Sequence, residues 1–133
     1  MRHQTPLAIF ALLSLAAISA CAAPPAAPTR ATADTGLDRM ERLTLDANRC
    51  WFKSKDPAFA RYSLAPELSS FSGKPRFLLV PKGQPEARPL LVVEGKSGSA
   101  EIDTYGPLTS QSLGRRVDAD LGRWTAGDDG CTA

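Results

Sequence analysis

"PRFLLVPKGQPEARPLLVVEG", residues 75–95, is the most strand-like part of the chain. It holds two short apolar runs, 75–82 and 88–95, rich in Leu and Val. Gly73, Pro75, Pro81, Gly83, Pro85, Pro89 and Gly95 bound them. Apolar runs this short between breakers read as buried strands, and the Pro- and Gly-containing segment between them reads as a loop.

Downstream, "SAEIDTYG" (99–106) alternates, with Ala100, Ile102 and Thr104 on one face and Glu101, Asp103 and Tyr105 on the other. That is the pattern of a half-exposed strand, joined to its predecessor by "GKSGS" and stopped by Gly106-Pro107. Upstream, "RYSLAPELSSFSG" is irregular, with Pro66 and a Ser-Gly end, and could hold a short edge strand.

Helical periodicity flanks this block. Met40, Leu43, Ala47, Cys50 and Trp51 form one helical stripe within "GLDRMERLTLDANRCWFK", with Arg39, Glu41, Arg42, Asp46 and Arg49 on the remainder. Thr35 and Asp38 have capping-box spacing, and Pro57 ends any continuation. In "SLGRRVDADLGRW", Leu113, Val117, Leu121 and Trp124 make a second stripe. Arg115, Arg116, Asp118, Asp120 and Arg123 are expected to face solvent, and Gly127 is a suitable stop. The order is helix, three or four strands, helix. The expected fold class is α+β: a small antiparallel sheet with both helices packed on one face.

The chain has 133 residues, which points to one domain. Its 16 basic and 14 acidic side chains nearly cancel, so no nucleic-acid partner is expected. The first residues read as an export signal. "MRHQT" carries Arg2, and residues 6–20, "PLAIFALLSLAAISA", are uncharged. The run is shorter than the roughly 20 residues of a spanning helix, and Pro24-Pro25 follow shortly after it. A charged start, a short apolar run and small residues make a secretory signal over 1–20.

That signal ends in Ile18-Ser19-Ala20-Cys21. "ISAC" resembles the lipobox of bacterial lipoproteins: an aliphatic residue, two small ones, then cysteine. The resemblance implies that the Cys21 thiol is alkylated by diacylglycerol and that cleavage makes Cys21 the acylated first residue. The acyl chains on Cys21 would then be the protein's link to a membrane. Ala22 in place of an aspartate implies the outer membrane, facing the periplasm, where the cell has two membranes. Ala20-Cys21-Ala22 also fits ordinary signal cleavage, which would release a soluble exported protein. Residues 21–36 continue as an acylated cysteine and an Ala/Pro-rich tether without large side chains. Extended, this tether would reach on the order of 45 Å. The folded domain is expected over 37–133.

With Cys21 acylated or removed, Cys50 and Cys131 remain. In an exported chain two leftover thiols are expected to pair. They lack the C-x-x-C spacing of a redox pair.

The chemistry is mostly exclusion. The single histidine, His3, lies in the signal. Without it, Ser-His and Cys-His nucleophile pairs and His-based zinc sites are not available. No metal and no cofactor is expected. "VVEGKSGS" lacks the earlier glycine of a phosphate loop, since that position is Leu90, and reads as a hairpin turn. Glu101 and Asp103 share a strand face and are the remaining carboxylate pair for a hydrolase, beside a Ser-Lys pair that no motif supports.

"CWFKSKDPAFARY" (50–62) is the candidate interaction surface. It sets Trp51, Phe52, Phe59 and Tyr62 beside Lys53, Lys55 and Arg61, a combination that suits a protein interface, an anionic glycan or anionic lipid heads. The competing reading packs Trp51 and Phe59 under the sheet and leaves the lysines solvated. The expectation is a lipid-anchored envelope protein without an enzymatic role. It would act as a structural or interaction module for an envelope protein or the cell-wall polymer. The alternatives are a soluble exported inhibitor or ligand-binding domain and, more remotely, a hydrolase.

Overall fold

The computed structural model describes residues 34–69 and 72–131. The export run, the lipobox with Cys21 and the tether up to residue 33 lie outside the described residues.

Helix α1 (Gly36–Ala47) runs directly into a π-helical turn (Asn48–Lys53), and a 3-10 turn follows (Pro57–Phe59). Four strands come next: β1 (Tyr62–Glu67), β2 (Arg76–Pro81), β3 (Leu91–Gly95) and β4 (Ile102–Tyr105). A second 3-10 turn (Pro107–Ser110) leads into α2 (Ser112–Thr125). The strands form one antiparallel sheet in chain order, β1-β2-β3-β4. The α+β class, the antiparallel sheet and the two flanking helices are as the sequence leads one to expect.

The two Leu/Val runs become the central strands, buried on both faces. Phe77, Leu79, Leu91 and Val93 point toward the helices. Leu78, Val80 and Val92 form a smaller cluster on the opposite face. Both helical stripes dock on the first set. Met40, Leu43, Ala47, Cys50 and Trp51 from the first helix join Val117, Leu121 and Trp124 of α2 in one core. Burying each large side chain contributes about 2–3 kcal/mol, so both helices are held by their stripes and not by propensity alone.

Two glycines fix how closely the layers approach. A β-carbon on Gly95 would lie 2.6 Å from Met40 Cγ, so α1 crosses the sheet where β3 ends. Gly106 has φ 123°, and a β-carbon there would lie 2.7 Å from the Leu90 carbonyl oxygen. A side chain is excluded at Gly106 on both grounds.

Three expectations need correction. Thr35 stands at the helix N-cap, but its side chain makes no capping bond. The chain entry is fixed instead by the Gly36 amide, which donates to the Ser99 carbonyl at 3.0 Å. Second, Asp120 does not face solvent: it is fully buried. Arg39 and Asp46 are buried as well. Third, the first helix does not end as an α-helix. The Ser54 amide reaches the Arg49 carbonyl at 3.1 Å, an i to i+5 bond. The extra residue per turn keeps both Cys50 and Trp51 on the inward face.

Cys50 and Cys131 are joined by a disulfide across a separation of 81 residues. It fastens the π turn to the segment after α2. Close by, Arg49 donates to the Asp129 carbonyl and to Asp46 Oδ1. Arg42 donates to the Trp124 carbonyl at 2.7 Å and pairs with Asp34. Asp34 also receives Arg39, whose Nε donates to its carbonyl at 2.9 Å. Both ends of the described chain are thus clamped by arginines of the first helix and its π turn.

Candidate functional site

The candidate site begins with a buried carboxylate. Asp120 accepts from the indole N–H of Trp51 at 2.8 Å, from Arg116 Nε at 2.9 Å and from Arg123 Nη2. Three charge-assisted or polar donors satisfy a group that would otherwise be costly to bury. Arg116 reaches on to Asp56 at 3.3 Å. Asp56 in turn caps the 3-10 turn by accepting from the Ala58 amide at 2.9 Å. One polar relay therefore fixes α2, the π turn and the 3-10 turn relative to each other.

With its N–H anchored, the Trp51 ring is locked. Phe59 stacks on it at 4.5 Å between centroids and 8° between planes. Phe52 meets Phe59 edge-on at 6.1 Å, and Trp124 and Phe77 also pack on the indole, at 5.2 and 6.2 Å. The aromatic block is a rigid wall.

An open groove of about 430 Å³ runs between this wall and β1. Phe52, Tyr62 and Leu64 are its apolar sides, and the buried Trp51 and Phe59 contribute at its base. Asn48, Asp56 and Ser63 are polar, and Lys55 and Lys82 stand at the rim. Lys53, Lys55, Arg61 and Lys82 are all exposed. Among the described residues none of these four cations has a carboxylate partner within ion-pair distance, while the groove's carboxylate, Asp56, is engaged by Arg116. The groove is apolar inside and positively charged outside.

The expected interaction surface is therefore partly displaced. Trp51 and Phe59 are each about 99% buried and form structure, not contact surface. They already belonged to the inward stripe and the aromatic block, and burial of the rings outweighed exposure. Phe52 and Tyr62 are half-buried and line the groove with Lys55. Lys53 and Arg61 are exposed but do not line it. Asn48, Asp56, Ala60, Ser63, Leu64 and Lys82 join the lining unforeseen. Lys82 arrives through the β1–β2 pairing, in which Arg61 lies opposite it.

The other sequence candidates stay apart from this groove. Glu101 and Asp103 are both exposed. Asp103 sits beside Glu94 on the face of the sheet away from the helices. There Arg76 bridges Glu67 and Glu94. The hydrogen bond to Glu67 raises the Arg76 pKa above its ordinary value, with burial acting in the opposite sense. Among the described residues no three His, Cys, Asp or Glu side chains are placed to hold a metal ion. Among the same residues no helix is long and apolar enough to cross a membrane.

Comparison with known proteins adds no family: no family model, curated protein or solved structure matches the chain.

Proposed function

We propose that this chain is a lipid-anchored cell-envelope protein that works as an interaction module without chemistry of its own. The lipobox Ile18-Ser19-Ala20-Cys21 supports the anchoring. Residues 22–33 would then act as the spacer between membrane and domain. Ala22 favours the outer membrane, facing the periplasm, in a cell with two membranes.

The observation that carries the module reading is the groove beside β1, with half-buried aromatic sides and exposed cations at its rim that have no ion-pair partner among the described residues. Exposed apolar area framed by uncompensated charge marks interaction sites on soluble domains. Of the two partner classes, an envelope protein fits the aromatic and aliphatic interior better than a cell-wall polymer.

Metabolic labelling with a fatty acid tests the anchoring. The protein takes up label and its Cys21→Ala variant does not. If neither form takes up label, the soluble exported reading, favoured by the Ala20-Cys21-Ala22 cleavage pattern, replaces the anchored one.

A further inference from the structure

The hydrogen-bond phase of the sheet shows which backbone groups of β1 are left for a partner. The Lys82 amide donates to the Arg61 carbonyl at 2.9 Å, so residues 61 and 82 form a hydrogen-bonded pair. Such pairs alternate along an antiparallel ladder. With the register Ser63↔Val80, Ala65↔Leu78 and Glu67↔Arg76, the odd-numbered residues of β1 bond to β2. The next ladder agrees. Gly95 donates to the Pro75 carbonyl at 2.8 Å, which assigns the odd-numbered residues of β2 to β3.

Tyr62, Leu64 and Pro66 therefore direct their backbone polar groups away from the sheet. Pro66 has no N–H to offer and sits where none is required by β2. By this phase the N–H and C=O groups of Tyr62 and Leu64 stay out of the β1–β2 ladder, and no turn, loop or cap bond among the described residues reaches them. Both side chains lie on the helix-facing side of β1 and line the groove. The free edge and the aromatic groove are one continuous surface.

We infer that this edge takes up an extended peptide segment as a fifth strand, with apolar side chains two residues apart and acidic residues beside them. The inference rests on the interaction-module reading and names the partner's chemistry. A strand added to β1 pairs with Tyr62 and Leu64 through main-chain bonds. Its residues opposite those two point to the same side of the sheet, into the groove against Phe52. Acidic side chains at the positions between them point to the other face of the sheet, where Arg61 and Lys82 continue the row of Ser63 and Val80. Charge selects against two other occupants. A second copy of the chain would bring the same unpaired cations edge to edge. The segment 22–33, "AAPPAAPTRATA", carries Arg30, no carboxylate and three prolines.

The test uses the full chain, disulfide intact, in detergent, with an octapeptide that alternates valine and glutamate. A valine–lysine peptide of equal length and a valine–glutamate peptide N-methylated on alternate amides are the controls. The glutamate peptide binds, and the Tyr62 and Leu64 amides become protected from hydrogen exchange. Binding weakens at high salt. Arg61→Glu with Lys82→Glu weakens it by about tenfold, and these exposed changes leave folding intact. The lysine and N-methylated peptides do not bind. Binding without new protection at Tyr62 and Leu64, equal binding of the N-methylated peptide, or no binding overturns the inference. So does sedimentation as a dimer with those amides protected before peptide is added. Fatty-acid labelling is independent of all these outcomes, so a labelled protein that ignores the peptide removes this inference and leaves the anchoring in place.

Discussion

The indole N–H of Trp51 donates to the carboxylate of Asp120 at 2.8 Å, inside the core and across 69 residues of sequence. This bond fixes the ring that backs the groove, and the same carboxylate gathers Arg116 and Arg123. Replacing Asp120 with Leu strands three donors. The two arginines reach solvent in part, so the loss falls toward the lower end for a broken buried pair, about 3 kcal/mol. Asp120→Asn keeps an acceptor for Trp51 and costs less. Urea denaturation of the three proteins gives the order wild type, Asn, Leu; equal stability of all three would contradict the role assigned to Asp120.

The disulfide closes a loop spanning 81 residues. In the chain-entropy model such a closure contributes about 4 kcal/mol. Reduction, or the paired change Cys50→Ser and Cys131→Ser, is expected to lower the unfolding midpoint by that equivalent. Denaturation with and without reductant measures it.

Two glycines of α2 respond in opposite directions. A β-carbon on Gly122 meets nothing within 4 Å, so Gly122→Ala gains helix propensity of about 0.5–1 kcal/mol. A β-carbon on Gly114 would lie 2.4 Å from the Leu108 carbonyl oxygen and 2.6 Å from that of Thr109. Gly114→Ala therefore destabilises by about 1–3 kcal/mol despite the same propensity gain. Thermal unfolding of the two variants should move apart from wild type with opposite sign.

Stability and contact separate within the 50–62 segment. Phe59→Ala removes a buried ring stacked on Trp51 and costs about 3–5 kcal/mol. Lys55→Glu and Lys82→Glu touch exposed side chains and change stability by less than about 0.5 kcal/mol. A lysine variant as unstable as Phe59→Ala would mean that the rim cations hold the fold together.

The sheet and both helical stripes were legible because burial leaves a periodic mark. Phe77 to Val80 and Leu91 to Val93 are short apolar runs between Pro and Gly breakers, the mark of buried strands. Asp120 also carried a signal, though charge argued against it. It lies three residues after Val117 and four before Trp124, on the stripe itself. Asp46 holds the same relation to Leu43 and Cys50. A carboxylate on an apolar stripe near a tryptophan and arginines asks for a buried polar hub. The groove was legible only in part. Phe52, Lys55 and Tyr62 are local in sequence, but Leu64 and Lys82 join them through strand register, which depends on pairings across the sheet. The π turn left no mark that periodicity reads, because its extra residue keeps the inward stripe continuous.

The most direct test of the groove as the working surface is photo-crosslinking in intact cells from single positions in the full chain. Positions 55 and 82 stand at the groove rim, and position 103 lies exposed on β4, at the opposite edge of the sheet. One shared adduct is expected from 55 and 82, absent from 103 and lost when the other rim lysine is reversed to glutamate. Adducts of equal yield from all three positions, or an adduct from 103 alone, would contradict the groove as the working surface.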